Sequence, residues 1–126
     1  SRGYALGISG SAYAGICPSE LEEQFLEGYH GGRQLFDVSR EIEKLGNRII
    51  VAQKELDQLK ADLQAKEQMV VSNQSSESER TALLQQIKTI QSKIDEIQKQ
   101  IDDDKRNNVR QQREYKQLTE LNGQYR

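Results

Sequence analysis

The chain has few of the residues that build compact cores and reactive centres. Its 126 residues include no Trp and only one each of Pro, Cys, His and Met. Apolar residues make up 34%, below the roughly 45–50% of ordinary globular domains, so a compact enzyme-like domain is not expected. One Cys and one His cannot supply the about four ligands of a zinc site. No apolar run approaches the roughly 20 residues of a membrane span.

The charge balance also excludes a class of partner. The chain carries 18 basic and 20 acidic residues, for a net charge of −2. Because nucleic-acid-binding domains carry a clear excess of basic residues, we expect no nucleic acid partner. A basic band from Lys105 to Lys116 is expected to be neutralised by Asp37, Glu41 and Glu43. No motif indicates a cofactor or a metal, and we expect no enzymatic activity.

The composition divides the chain into regions. Seven of the nine glycines lie within the first 32 residues, together with the only Cys, Pro and His. Gln, Glu, Lys, Leu and Ile dominate from Leu35 onward. The predicted organisation is a Gly/Tyr-rich head with a short helix at residues 1–34, a first coiled-coil helix at 35–71, a polar turn at 72–78 and a second coiled-coil helix at 79–122.

Apolar residues recur in steps of three and four in both long segments. Such a heptad pattern keeps one apolar stripe facing a partner helix and is typical of a left-handed coiled coil. The a positions are Leu35, Ile42, Ile49, Leu56, Leu63 and Val70 in the first segment and Ile87, Ile94 and Ile101 in the second. The predicted fold is therefore all-α, a long antiparallel coiled-coil helical hairpin with a small Gly/Tyr-rich N-terminal head.

The orientation follows from the short connection, which can join antiparallel helices but cannot run back along a parallel helix of roughly 50 Å. Ser76 and Glu79 predict a capping box at the start of the second helix, because each side chain can bond the other residue's backbone N–H. Folding the chain between these helices pairs Leu56 with Ile94.

The apolar stripe of the second helix stops before the helix does. Asp104, Asn108 and Gln111 occupy stripe positions where Ile should continue, opposite the apolar Ile42 and Leu45. Three alternatives remain open for these positions: the head packs there, a second chain packs there, or the helices fray locally. On the first two alternatives, these five residues are candidate interaction residues.

The glycines of the head suggest a second contact region. Each Gly inside a helix costs about 1 kcal/mol relative to Ala, so Gly28, Gly31 and Gly32 require either a kink or loop, or the close approach of another helix. The motif Gly-Tyr-x-x-Gly occurs at residues 3–7 and 28–32. If residues 3–14 are helical, their small-residue face can pack on Gly28 and Gly32, and an irregular Gly-rich loop is the alternative.

Three tyrosines accompany these glycines. Tyr4, Tyr13 and Tyr29 flank the small-residue face and, with Gly28 and Gly32, are candidate interaction residues. Aromatic rings stack well on sugar rings, and glycines permit close approach of a ligand. The head is therefore also a candidate ligand-binding site, for example for cell-wall glycan.

One stretch of the head fits a longer motif. The run Gly-Tyr-Ala-Leu-Gly-Ile-Ser-Gly-Ser-Ala-Tyr-Ala-Gly-Ile-Cys-Pro fits Gly-x-x-Gly-x-x-Tyr-x-Gly-x-Cys-Pro, and Phe25, Gly28-Tyr29 and Gly32-Arg33 follow it. This pattern, which covers residues 3–40, resembles that of a family of uncharacterised gammaproteobacterial envelope lipoproteins. The resemblance implies an exported protein of the periplasm, anchored to the outer membrane through a lipid outside this chain. It also implies that the chain is the C-terminal part of a longer lipoprotein with no assigned activity.

Cys17 has three interpretations. The resemblance implies a disulfide with an upstream Cys that this chain does not contain. A buried thiol is the plain alternative. A catalytic pair of Cys17 with His30 is the third, but no orienting group accompanies it.

Two functions follow from these features. The first is a non-enzymatic structural or interaction module of the bacterial envelope, which presents a coiled-coil hairpin to a protein partner or to a second copy. The second is a ligand-binding module that uses the Gly/Tyr head, with the hairpin as a spacer.

Overall fold

The computed structural model describes residues 2–13, 19–72 and 76–125. Three α-helices account for most of this part: α1 (Arg2–Ile8), α2 (Ser19–Val71) and α3 (Glu77–Leu121), and a 3₁₀ turn (Gly123–Tyr125) follows. No strand occurs in these ranges. The prediction of an all-α fold is confirmed, and α2 and α3 pack as a helical hairpin.

The helices contribute to two compact units. We call Ser1–Gly46 with Arg106–Arg126 the terminal unit and Asn47–Lys105 the central unit. Helix α2 begins at Ser19 and continues through Gly28 and Gly32, so the glycines neither break the helix nor form a loop.

A narrow stripe of side chains forms the core of the central unit. The buried apolar residues are Leu56, Leu83, Ile87, Ile90 and Ile101. Leu56 is 1% exposed and Ile101 is fully buried, and burial of a side chain this size contributes roughly 1.5–3 kcal/mol. All five belong to the three-and-four pattern of the sequence, and this is why one side of each helix is buried while the rest faces solvent.

The start of α3 has the predicted capping box. The backbone N–H of Ser76 donates to Glu79 Oε2 at 3.4 Å, and the N–H of Glu79 donates to Ser76 Oγ at 3.2 Å. Two backbone donors that have no partner inside the helix are thereby satisfied. The prediction for this position is confirmed.

Helix α1 is shorter than the helical stretch at residues 3–14 that the glycine spacing suggested. It ends at Ile8, and Gly10 follows with a φ of +78°. The N–H of Gly10 donates to the carbonyl of Gly7 at 3.0 Å, and the N–H of Ser11 donates to that of Leu6 at 3.2 Å. These two bonds form a Schellman motif, in which a glycine takes the left-handed conformation that stops the helix.

Candidate functional site

In the terminal unit, α1 packs against α2 with the two backbones in direct contact. A Cβ atom built on Gly7 would collide with the carbonyl oxygen of Tyr29 and lie 2.6 Å from the nitrogen of Arg33. A Cβ on Gly32 would collide with the carbonyl oxygen of Tyr4 and lie 2.7 Å from the nitrogen of Ile8. Because the atoms met are backbone atoms, no side-chain rotation can make room for a methyl group.

Gly31, which precedes Gly32, contacts a different part of the terminal unit. A Cβ on Gly31 would collide with Oδ1 of Asn122 and lie 2.7 Å from its Cγ. Asn122 is 7% exposed, and its Nδ2 donates to the carbonyl of Leu118 at 2.7 Å. Successive helical residues point about 100° apart, so Gly31 and Gly32 admit close contacts on two sides of α2.

The segment after α1 is held by side chains of α2. Arg33 Nη1 donates to the carbonyl of Gly10 at 2.6 Å, and the Tyr29 hydroxyl donates to the carbonyl of Ser11 at 3.0 Å. The Arg33 guanidinium also lies 5.2 Å from the centre of the Phe36 ring. In the sequence, Arg33 stands out only through the family resemblance and Phe36 does not stand out at all, since a lone Arg or Phe on a helix carries no recognisable pattern.

The tyrosines of the terminal unit contact one another and α2. The Tyr13 hydroxyl donates to Glu22 Oε1 at 2.9 Å, and its ring centre lies 5.2 Å from that of Phe25 and 6.1 Å from that of Tyr29. Tyr4 is buried, and its ring stacks on that of Tyr125 at 6.4 Å. The structure thus brings Tyr13 and Tyr29 together as one packed cluster.

The polar residues of the α3 stripe face α2. In the terminal unit, Asn108 Nδ2 donates to the carbonyl of Ile42 at 3.2 Å, Leu45 is buried and Gln111 is half-buried. Helix α3 remains regular here, so local fraying is not observed. Because Leu45 is already buried within the single chain, it does not need a second chain to cover it.

Asp104 belongs to the central unit and is 5% exposed. Its Oδ2 lies 3.4 Å from Nη2 of Arg48 and has no hydrogen-bond partner. Loss of water around a carboxylate costs free energy, which the half-exposed Arg48 offsets in part. We conclude that Asp104 is part of the packed stripe and is not accessible to a partner.

Two exposed apolar residues, Ile50 and Val51, lie beside the buried stripe of the central unit, and we call them the exposed apolar strip. Ile50 is 60% exposed and Val51 is 65% exposed. Val51 lines a shallow groove with Ala52 and Ile97, and Arg48 and Glu55 line its charged margins. The sequence pattern does not single out Ile50 and Val51, because both lie outside the heptad positions and look like ordinary surface residues.

The remaining candidates form no reactive centre in the ranges that the structure covers. Cys17 lies outside the described residues, and His30 is exposed with its ring edge toward Tyr29 at 5.6 Å. Within the described residues, no three His, Cys, Asp or Glu side chains are grouped to hold a metal ion, and no helix is long and apolar enough to cross a membrane.

Comparison of the chain with protein-family models, with curated proteins and with solved structures finds no match.

Proposed function

We propose that this chain is a non-enzymatic interaction module of the bacterial cell envelope. In this proposal, α2 and α3 form an antiparallel coiled coil that presents an exposed side to a protein partner or to a second copy of the chain. The short α1 and the segment after it form a small head on α2. The envelope location rests on the resemblance of residues 3–40 to exported lipoproteins.

The exposed apolar strip of the central unit carries the proposal. Ile50 and Val51 are adjacent, and each exposes more than half of its surface. Val51 borders a groove whose margins carry the opposite charges of Arg48 and Glu55. An apolar centre with a charged rim is the arrangement of a protein–protein contact. A groove this open offers few walls to orient a small substrate.

The antiparallel arrangement is supported by contacts within the terminal unit. In the terminal unit Asn108 bonds Ile42, and Tyr125 donates to Glu27 at 3.3 Å. Ile42 follows Glu27 in α2, whereas its partner Asn108 precedes Tyr125, the partner of Glu27. Such pairing is expected when two helices run in opposite directions.

The ligand-binding alternative has less support. The hydroxyls of Tyr13 and Tyr29 bond Glu22 and the carbonyl of Ser11, and the buried Tyr4 stacks on Tyr125. These contacts favour a structural role for the three tyrosines, because a sugar-binding ring needs a free face.

A site-specific photocrosslinker tests the proposed contact. The photoreactive residue replaces Val51 in the full-length protein, and intact cells are irradiated. We expect a discrete crosslinked species in the envelope fraction. The matched control places it at the exposed Lys60, which lies on the opposite side of α2. Equal crosslinking at both positions, or none at Val51, contradicts the proposal.

Distance measurement between spin labels tests the hairpin. Lys60→Cys and Gln91→Cys place labels at exposed positions of the central unit, with Cys17→Ser removing the native thiol. The two helix axes pack roughly 8–10 Å apart, so we expect a label distance within roughly 25 Å. A chain that exchanges α3 with a neighbour gives a much longer distance once labelled protein is diluted with unlabelled protein.

A further inference from the structure

Four cationic side chains follow one exposed side of α3 in the terminal unit. They are Arg106, Arg110, Arg113 and Lys116, and all four are exposed. The steps of four, three and three place them along a single side of the helix over roughly 15 Å. Val109, which is 48% exposed, lies among them. We call these five residues the basic stripe.

Two of the three acidic residues expected to neutralise this band have partners within their own helix. Asp37 Oδ1 lies 3.6 Å from Nε of Arg33, and Glu41 Oε1 lies 3.7 Å from Nζ of Lys44. All four residues belong to α2. Among the described residues, neither Asp37 nor Glu41 forms an ion pair with a cation of α3, because nearer cations lie one helical turn away.

Three cations of the stripe, Arg110, Arg113 and Lys116, keep their charge available. Arg110 Nη2 donates to the amide oxygen of Asn107 at 3.0 Å, which leaves its charge uncompensated. Among the described residues, no carboxylate lies within 4.0 Å of Arg113 or Lys116. One carboxylate, that of Glu114, occurs between the first and last cations of the stripe, so this stretch of α3 carries a local positive charge in a chain of net charge −2.

We propose that the basic stripe binds the anionic headgroups of a lipid bilayer. An extended row of cations on one helix matches a flat anionic surface, and the exposed Val109 can enter the headgroup layer as apolar residues of interfacial helices do. Nucleic acid fits less well, because the stripe contains no aromatic side chain on which bases could stack. The proposal concerns a different surface from the strip at Ile50 and Val51 and does not depend on it.

Sedimentation with lipid vesicles tests the proposal on the 126-residue chain. One set of vesicles contains equal parts of phosphatidylglycerol and phosphatidylcholine, and the other contains phosphatidylcholine alone. We expect binding to the anionic vesicles only, and binding that weakens as salt is added. Each Lys or Arg near an anionic surface changes partition roughly fivefold, so the variant Arg113→Gln/Lys116→Gln should bind roughly twenty-five times more weakly.

The control variant Lys54→Gln/Lys60→Gln removes the same charge from exposed positions of the central unit and should bind as the unmodified chain does. Equal losses in the two variants would show that overall charge acts rather than the stripe, and would overturn the proposal. Equal binding to both kinds of vesicle would overturn it as well. Tighter binding to duplex DNA than to anionic vesicles would replace lipid with nucleic acid as the partner.

Discussion

Replacing Gly32 with Ala should separate α1 from α2. The new methyl carbon would collide with the carbonyl oxygen of Tyr4 and lie 2.7 Å from the nitrogen of Ile8, whereas ordinary contact begins at 3.4 Å. The contact with Ile8 alone requires helix α1 to withdraw by about 0.7 Å, and the closer contact with Tyr4 requires more. Overpacking of this kind costs typically 1–3 kcal/mol, and the better helix propensity of Ala offsets up to about 1 kcal/mol. We expect a net loss of roughly 1–2 kcal/mol in the free energy of unfolding.

Gly46 provides the matched control. It lies inside the same helix, and a Cβ atom built on it meets nothing within 4 Å. Gly46→Ala should therefore stabilise the protein by roughly 0.5–1 kcal/mol, because Ala loses less backbone entropy than Gly when it becomes helical. The same change from Gly to Ala is thus expected to lower the free energy of unfolding at residue 32 and to raise it at residue 46.

Urea unfolding measured by circular dichroism gives the free energies of both variants. Hydrogen exchange gives a second measurement, since α1 can detach while the rest of the chain stays folded. We expect the amides of residues 2–10 to lose protection in Gly32→Ala and to keep it in Gly46→Ala. If Gly32→Ala is as stable as Gly46→Ala and equally protected, the backbone contact between α1 and α2 is refuted.

Two further predictions concern the other packed positions. Gly31→Ala should destabilise the protein by less than Gly32→Ala, because the methyl group meets the movable side chain of Asn122. In a double-mutant cycle, Asn122→Ala should relieve part of that loss, and additive losses would contradict the contact. Asp104→Leu should raise the free energy of unfolding by roughly 1 kcal/mol in urea titration, since Arg48 is half-exposed and remains hydrated. A decrease would show that the ion pair itself is stabilising.

Local rules were enough to predict the two long helices and the start of α3. The three-and-four spacing that includes Leu56 and Ile101 appears in the structure as the buried stripe of the central unit. The capping box of Ser76 and Glu79 depends on residues three positions apart, so no distant contact was needed to predict it. The predicted boundary at residue 35 between the head and the first long helix is not seen, since α2 is continuous from Ser19. Glycines disfavour a helix when they are considered alone, and this is why an interruption was expected there.

Contacts between distant residues decided the rest. Gly31 and Gly32 lie within a helix although glycine disfavours it, because the backbone of α1 packs closely on Gly32 and the side chain of Asn122 packs on Gly31. Helix propensity contains no information about such neighbours. In the same way, the sequence showed that polar residues interrupt the α3 stripe but not that Asn108 would bond the backbone of Ile42. Periodicity in the sequence gives the side of a helix that is buried, whereas the partner of each buried atom depends on how the helices meet in space.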